Sequence, residues 1–305
     1  MPDSAANIWR ELAWQSAAAL GVSSTVPGGV DAVVDPEAVL VLGAVVEDAR
    51  LHGELLDWAL VHAPLLMSSR LRRIAADAAA SSIAEQWIAT IDQHAESVTW
   101  RSTAPPMVTF EPSGKSTSYD AYLPAAAALR ARALGGATAR TELLRALHPT
   151  TRSGTPRDRT AIVHDAAIAA SQAPRVIEEL ITARLLRRSG SARRQQLVAF
   201  RGDDGDLASG YWAAWSRLSP APWRDAPRIA ERLLSLDRDA PADGSRTWAA
   251  HIVERTLPAF VTVADLGGPS YEAARGTTLQ VHDAARGHAR RASAWLAARL
   301  RYGIG

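Results

Sequence analysis

Between residues 160 and 200 the apolar side chains change their spacing, and that change constrains the fold more than any other feature of the chain. In TAIVHDAAIAASQAPRVIEELITAR, Val176, Ile177, Leu180 and Ile181 recur at i, i+1, i+4 and i+5, the repeat of one helix face. Ile162, Val163, Ala166 and Ala167 do the same one helix earlier. From Leu185 the helical period is lost, and LLRRSGSARRQQLVAF reads as a hairpin about a Ser-Gly-Ser-Ala turn, with 195–200 as its returning strand. Two apolar helix faces and one short hairpin can share a core only by packing together. Ser171 is a candidate cap for the helix at 173–184, with Pro174 in its first turn.

Helical patterning dominates the rest. Residues 7–20 place Ile8, Trp9, Leu12 and Ala13 at helical spacing before Gly21. Asp35-Pro36-Glu37 is a start signal: a capping carboxylate, a proline whose missing N–H costs nothing, and an acid in the first turn. Further helices are expected at 51–62, at 69–80 with Ser68 as cap, and at 81–95. Residues 96–120 are rich in Pro, Gly and hydroxyl side chains and read as a linker or exposed loop. Helix returns at about residue 122, pauses at Gly135-Gly136 and resumes at 138–147, ended by His148-Pro149. The tail is helical at 226–236, at 245–263 with an interruption at Pro258, and at 280–301. The expected partition is an N-terminal helical domain (1–95), the linker, a central domain (121–202) and a C-terminal helical domain (203–305).

Several chemistries lack their residues. The chain has no cysteine, which removes disulfides, thiolate metal sites and cysteine nucleophiles. Its eight histidines are scattered, with no H-E-x-x-H pattern, so no metal is expected. Lys115 in SGKST lacks the upstream glycine spacing of a phosphate-binding loop, and no G-x-S-x-G elbow occurs. No enzyme and no cofactor are expected. The N-terminus lacks a basic lead before an apolar core, and no apolar run approaches the roughly 18 residues of a membrane span. The expectation is a soluble cytoplasmic protein without membrane contact. The ten tryptophans, Trp212 and Trp215 among them, fall mostly in helical patterns and are expected to anchor cores or interfaces.

Net charge is only +2, but residues 130–201 hold fourteen arginines against five acids. A positive field concentrated in one window suits an anionic partner. A second basic run, Arg70, Arg72 and Arg73, reads as a solvated helix face.

Helix, helix, short turn, helix, hairpin is an order with a known counterpart. The stretch AIVHDAAIAASQAPRVIEELITARLLRRSGSARRQQLVAF resembles the MarR-like and ArsR-like winged helix-turn-helix domains of bacterial regulators. The resemblance covers the central segment alone. It implies that the third helix enters the major groove with Gln172 and Arg175 at base edges, side chains able to pair with adenine or guanine. It implies that the wing arginines Arg187, Arg188, Arg193 and Arg194 hold phosphates, with Arg157 and Arg159 adding backbone contacts. Glu178 and Glu179 depart from that picture, since carboxylates on the third helix repel phosphate.

The sequence therefore predicts a mainly α protein with a central winged helix-turn-helix domain between flanking helical domains. Its expected partner is double-stranded DNA, bound as a homodimer because one winged helix covers a half-site, and its expected role is transcriptional regulation. The flanking helices could carry a protein partner. The alternatives are an antitoxin or defence-system component, and an interaction scaffold whose winged helix contacts a protein.

Overall fold

The computed structural model describes residues 4–22, 30, 32–107, 110–116, 118–120, 123–153, 156–183, 185–189, 196–199, 223–238, 246–272 and 278–302. These residues form twelve α-helices and one three-stranded sheet, a mainly helical fold.

The first helix, α1 (Ala5–Ala19), starts where the Ser4 hydroxyl accepts from the Asn7 N–H at 3.2 Å, and the chain turns away at Gly21, whose φ of +88° suits glycine. The start signal at Asp35 opens α2 (Pro36–Val45), all ten of whose residues are buried. A helix apolar on every side belongs at the centre of a bundle. Around it pack α1, α3 (Ala49–His62), α4 (Ser68–Asp77) and α5 (Ser81–His94). Ser68 is not the cap of α4; Met67 precedes the helix, and its N–H is taken at 2.8 Å by Glu37 Oε1. The buried rings of Trp9, Trp58 and Trp87 fill this core, and Trp58 Nε1 donates to the Leu20 carbonyl at 2.9 Å.

The turn formers of 96–120 predict a linker or exposed loop, yet the described part lies against the helices. Trp100 is buried, the Trp100 N–H donates to Asp92 Oδ1 at 2.6 Å, and the Met107 N–H donates to Thr90 Oγ1 at 2.9 Å. Asp57 then gathers residues 113–116. Its carboxylate accepts from the N–H groups of Ser113 (2.7 Å), Gly114 (3.2 Å) and Ser116 (3.2 Å) and from the hydroxyls of Ser113 and Ser116. The SGKS turn thus holds an internal carboxylate.

Helices α6 (Ala127–Gly135) and α7 (Ala139–Ser153) follow, the latter running past Pro149 instead of stopping there. Next come β1 (Arg157–Asp158), α8 (Arg159–Ala166), α9 (Ala173–Thr182), β2 (Leu186–Ser189) and β3 (Gln196–Ala199). The sheet is antiparallel in the order β1-β3-β2, with Arg157 opposite Leu197 and Arg188 also opposite Leu197 from the other side. β1 has only two residues, which carry no period, so only pairing with β3 reveals them. The chain ends in α10 (Ala226–Arg238), α11 (Arg246–Asp265) and α12 (Thr278–Tyr302). α11 continues through Pro258, which lies on its exposed side, where water can take the carbonyl a proline leaves unbonded.

There are two main cores. One collects Leu143, Leu147, Ile162, Val176, Ile177, Leu180, Leu186 and Leu197 from α7, α8, α9 and the hairpin. The other spans α1 to α5 and also α10, α11 and α12, so Trp9 and Leu42 belong to the same cluster as Leu233, Phe260 and Leu296. The N-terminal and C-terminal helices, readable as separate domains, share one interior. Apolar helix faces leave no trace in sequence of which other face they meet.

Candidate nucleic-acid interface

The sequence concentrates its candidates on the smaller core. α8 is capped by Asp158, whose carboxylate accepts from Thr160 N–H (2.8 Å) and Ala161 N–H (3.2 Å). It ends at Ala167, in the left-handed region with φ 48°. A turn closed by the Gln172 N–H on the Ala169 carbonyl at 3.0 Å leads into α9. The residue flanking α9 is Gln172, not Ser171, and its side chain makes no capping bond. α9 buries Val176, Ile177 and Leu180 and turns Gln172, Arg175 and Glu178 outward. The nominated pair Gln172 and Arg175 therefore sits exposed at the start of α9.

The other candidates are less free than their sequence suggests. Arg157 donates to the Ala146 carbonyl at 2.9 Å and to Asp165 Oδ2 at 2.5 Å, bracing α7 against α8. Burial alone would raise the Asp165 carboxyl, but hydrogen bonds from His164 and Arg157 outweigh it and hold the group below the usual range. Arg159 is half-buried. Arg175 pairs with Glu179 at 3.0 Å, and Glu179 also accepts from Arg140 on α7 at 2.6 Å. The Arg140 bond is the chief reason the Glu179 carboxyl lies below its ordinary value. Arg188 shares a strand face with Leu186 and reaches Glu178 on α9. Arg187 is exposed with no ion pair among the described residues. Arg193 and Arg194, with residues 190–192 of the expected Ser-Gly-Ser-Ala turn, lie outside the described residues, as do Trp212 and Trp215. Glu178 and Glu179 thus neutralise two nominated arginines, Arg188 and Arg175.

Sequence reasoning missed what lies beneath. Arg70 is fully buried, not on a solvated face. Its guanidinium bonds Asp35 and the Ala166 carbonyl at the end of α8, and approaches Glu142 at 3.5 Å and Glu37 at 3.3 Å. Arg132, also buried, forks onto Glu37 at 2.7 and 2.8 Å, donates from Nε to Glu142 at 2.7 Å and reaches the Leu65 carbonyl at 2.9 Å. Arg145 completes the set on Glu142 at 2.9 Å and Asp35 at 3.5 Å. Three acids face three arginines, so the cluster is neutral. Desolvation penalises the charge on Glu142, yet Arg132, Arg145 and Arg70 overcome it and hold its carboxyl far below the usual range. Asp35 is lowered in the same way, chiefly by Arg70, and Arg132 is raised by Glu142 and Glu37 against the same burial cost.

This cluster joins the two cores. Asp35, Glu37 and Arg70 come from α2 and α4, Glu142 and Arg145 from α7, and Arg132 from α6 between them. A second tie is Arg224, which donates to Asp77 at 2.7 Å and bonds the His164 ring. Part of the basic window is consequently internal, and the outward field is weaker than the composition implies.

Among the described residues no group of three His, Asp or Glu side chains is placed to hold a metal ion, and no helix is long and apolar enough to cross a membrane. What the arrangement offers is an exposed helix start and an exposed basic strand on a shared apolar core. Comparison with protein-family models, with curated proteins and with solved structures found no match.

Proposed function

We propose that residues 139–199 form a winged helix and that the protein binds double-stranded DNA through α9 and the β2–β3 hairpin, as a dimeric regulator of transcription. The observation that carries this reading is the exposed Gln172–Arg175 start of α9, which shares a core with α7 and α8 and is flanked by a three-stranded sheet with Arg187 on its outer side. A single helix start of this kind reads a few base edges, and pairing two copies extends the site. Phosphate contacts from Arg187, Arg188, Arg193 and Arg194 supply affinity that falls as salt rises.

Duplex binding measured at low and moderate salt tests it. Changing the four wing arginines together to Ala should weaken binding to all sequences and flatten its salt dependence, whereas Arg175→Ala should erode preference among sequences. No duplex binding, or binding indifferent to the quadruple change, refutes the proposal.

The Arg188–Glu178 and Arg175–Glu179 pairs favour a second reading, in which the same face meets a protein partner, as in an antitoxin or a scaffold. That reading predicts no salt-dependent affinity for duplex DNA.

A further inference from the structure

On the larger core, α1 and α12 lie along each other and leave a groove of about 520 Å³ between them, whose described lining includes none of the residues nominated for DNA. Its apolar lining comes from Ile8, Gly287, Ala294 and Ala297, three of them small enough to keep it open. Gly287, Arg290, Arg291, Ala294 and Arg301 fall on one face of α12 by the three- and four-residue spacing of a helix. The seam under the groove is fixed: Trp9 Nε1 donates to the buried Ser293 hydroxyl at 3.0 Å.

The charged lining is lopsided. Arg290 and Arg291 are exposed and have no carboxylate partner among the described residues; Arg291 Nη2 lies 3.5 Å from His288 Nδ1. Arg301 has one acid, Glu11, at 3.3 Å, and its buried Nε is without a hydrogen-bond partner. Glu11 in turn is shared with Gln15 Nε2 at 2.8 Å. Among the described residues, three guanidinium groups therefore stand over a small apolar floor against a single carboxylate.

We propose that this groove binds a small amphipathic organic anion, its apolar part on Ile8, Ala294 and Ala297 and its carboxylate or phosphate held by Arg290, Arg291 and Arg301. The volume is that of ordinary ligand pockets, and apolar walls with a few convergent polar groups are their usual make-up. Guanidinium forks bind carboxylate and phosphate in the same planar way. Glu11 occupies Arg301 until the ligand displaces it.

Calorimetric titration of the full chain with octanoate, octyl phosphate and octanamide tests the assignment. Saturable binding of either anion, with octanamide inert, is expected, and which anion binds more tightly distinguishes carboxylate from phosphate. Arg290→Ala with Arg291→Ala should raise Kd about tenfold or more, the scale of losing charge-assisted hydrogen bonds. Glu11→Gln should lower Kd, because it removes the internal competitor. Ala294→Trp should abolish binding by filling the groove, with circular dichroism confirming that each variant keeps its helices. Octanamide binding as well as octanoate, no binding of either anion, or a Kd unmoved by loss of Arg290 and Arg291 would overturn the proposal.

Discussion

Arg132→Met is the most informative single change available. The side chain that it removes makes four hydrogen bonds, two to Glu37, one to Glu142 and one to the Leu65 carbonyl, all in the interior. Methionine fills much of the volume but leaves two fully buried carboxylates short of a partner and the six-membered cluster with one excess negative charge. Removing one member of a buried charge cluster costs about 3–5 kcal/mol, mostly as desolvation of what remains. For a chain of 305 residues, each kcal/mol corresponds to roughly 1.5–2 °C in Tm, so the expected loss is about 5–10 °C. Arg188→Met, at a pair more than half exposed on both sides, should cost about 1 kcal/mol or less. Urea titration followed by circular dichroism reads both. The double variant Arg132→Met with Glu142→Gln should recover part of the loss, since the second change removes one stranded charge. Equal losses at Arg132 and Arg188, or strict additivity in the double variant, would refute the account.

The same cluster sets an acid dependence. Asp35 and Glu142 ionise at lower pH in the folded chain than in the unfolded one, so they contribute stability in full above the ordinary carboxylate range. That contribution is lost as pH falls through about 4 toward the folded values. Wild type should lose stability steeply below that point, and Arg132→Met less steeply.

Other consequences are local. Asp57→Asn replaces with an NH2 donor one of the two carboxylate oxygens that share five hydrogen bonds from residues 113–116, and should cost about 1–3 kcal/mol and admit protease cleavage at that turn; an unchanged digestion pattern counts against it. Ala79 is exposed with φ 51° where the Ala80 N–H closes on the Ala75 carbonyl at 2.9 Å, the left-handed end of α4. Ala79→Gly should stabilise the protein by about 1 kcal/mol in denaturant titration, and a loss would contradict the backbone assignment. Glu178→Gln and Glu179→Gln together free Arg188, Arg175 and Arg140, so duplex affinity should rise and its salt dependence steepen; a fall would argue for the protein-partner reading.

What the sequence revealed and what it hid follow a physical line. Periodicity located nearly every helix because an apolar face repeats along the chain, as at Val176, Ile177 and Leu180. Caps were legible where an acid precedes proline, as at Asp35, and misplaced where the orphan N–H is served from afar, as Met67 is by Glu37. Partners distant in sequence left no such mark. Arg70 stands 96 residues from the Ala166 carbonyl, and nothing in SSRLRRIAAD separates it from Arg72, which stays at the surface with Glu85. The helical face of α4 does offer one signal, since Arg70 and Ile74 are four apart and both buried; an arginine on an apolar stripe requires acids to meet it.

The buried charges also bear on the exposed face. Ala166 and Ala167 are buried at the end of α8, Ala167 within the larger core, but each carries little apolar surface with which to fix that contact. The guanidinium fork of Arg132 adds geometric specificity through its bonds to Glu37 and Glu142. If these ion pairs set the orientation of α9 relative to α2 and α4, loosening them should broaden that orientation before it unfolds either core. The absence of cysteine makes the test direct. Spin labels at Val61→Cys and Thr182→Cys, one exposed position on each unit, should give a narrow distance distribution in the parent and a wider one with Arg132→Met under conditions where both retain full helicity. A distribution equally narrow in both would assign the docking to packing alone.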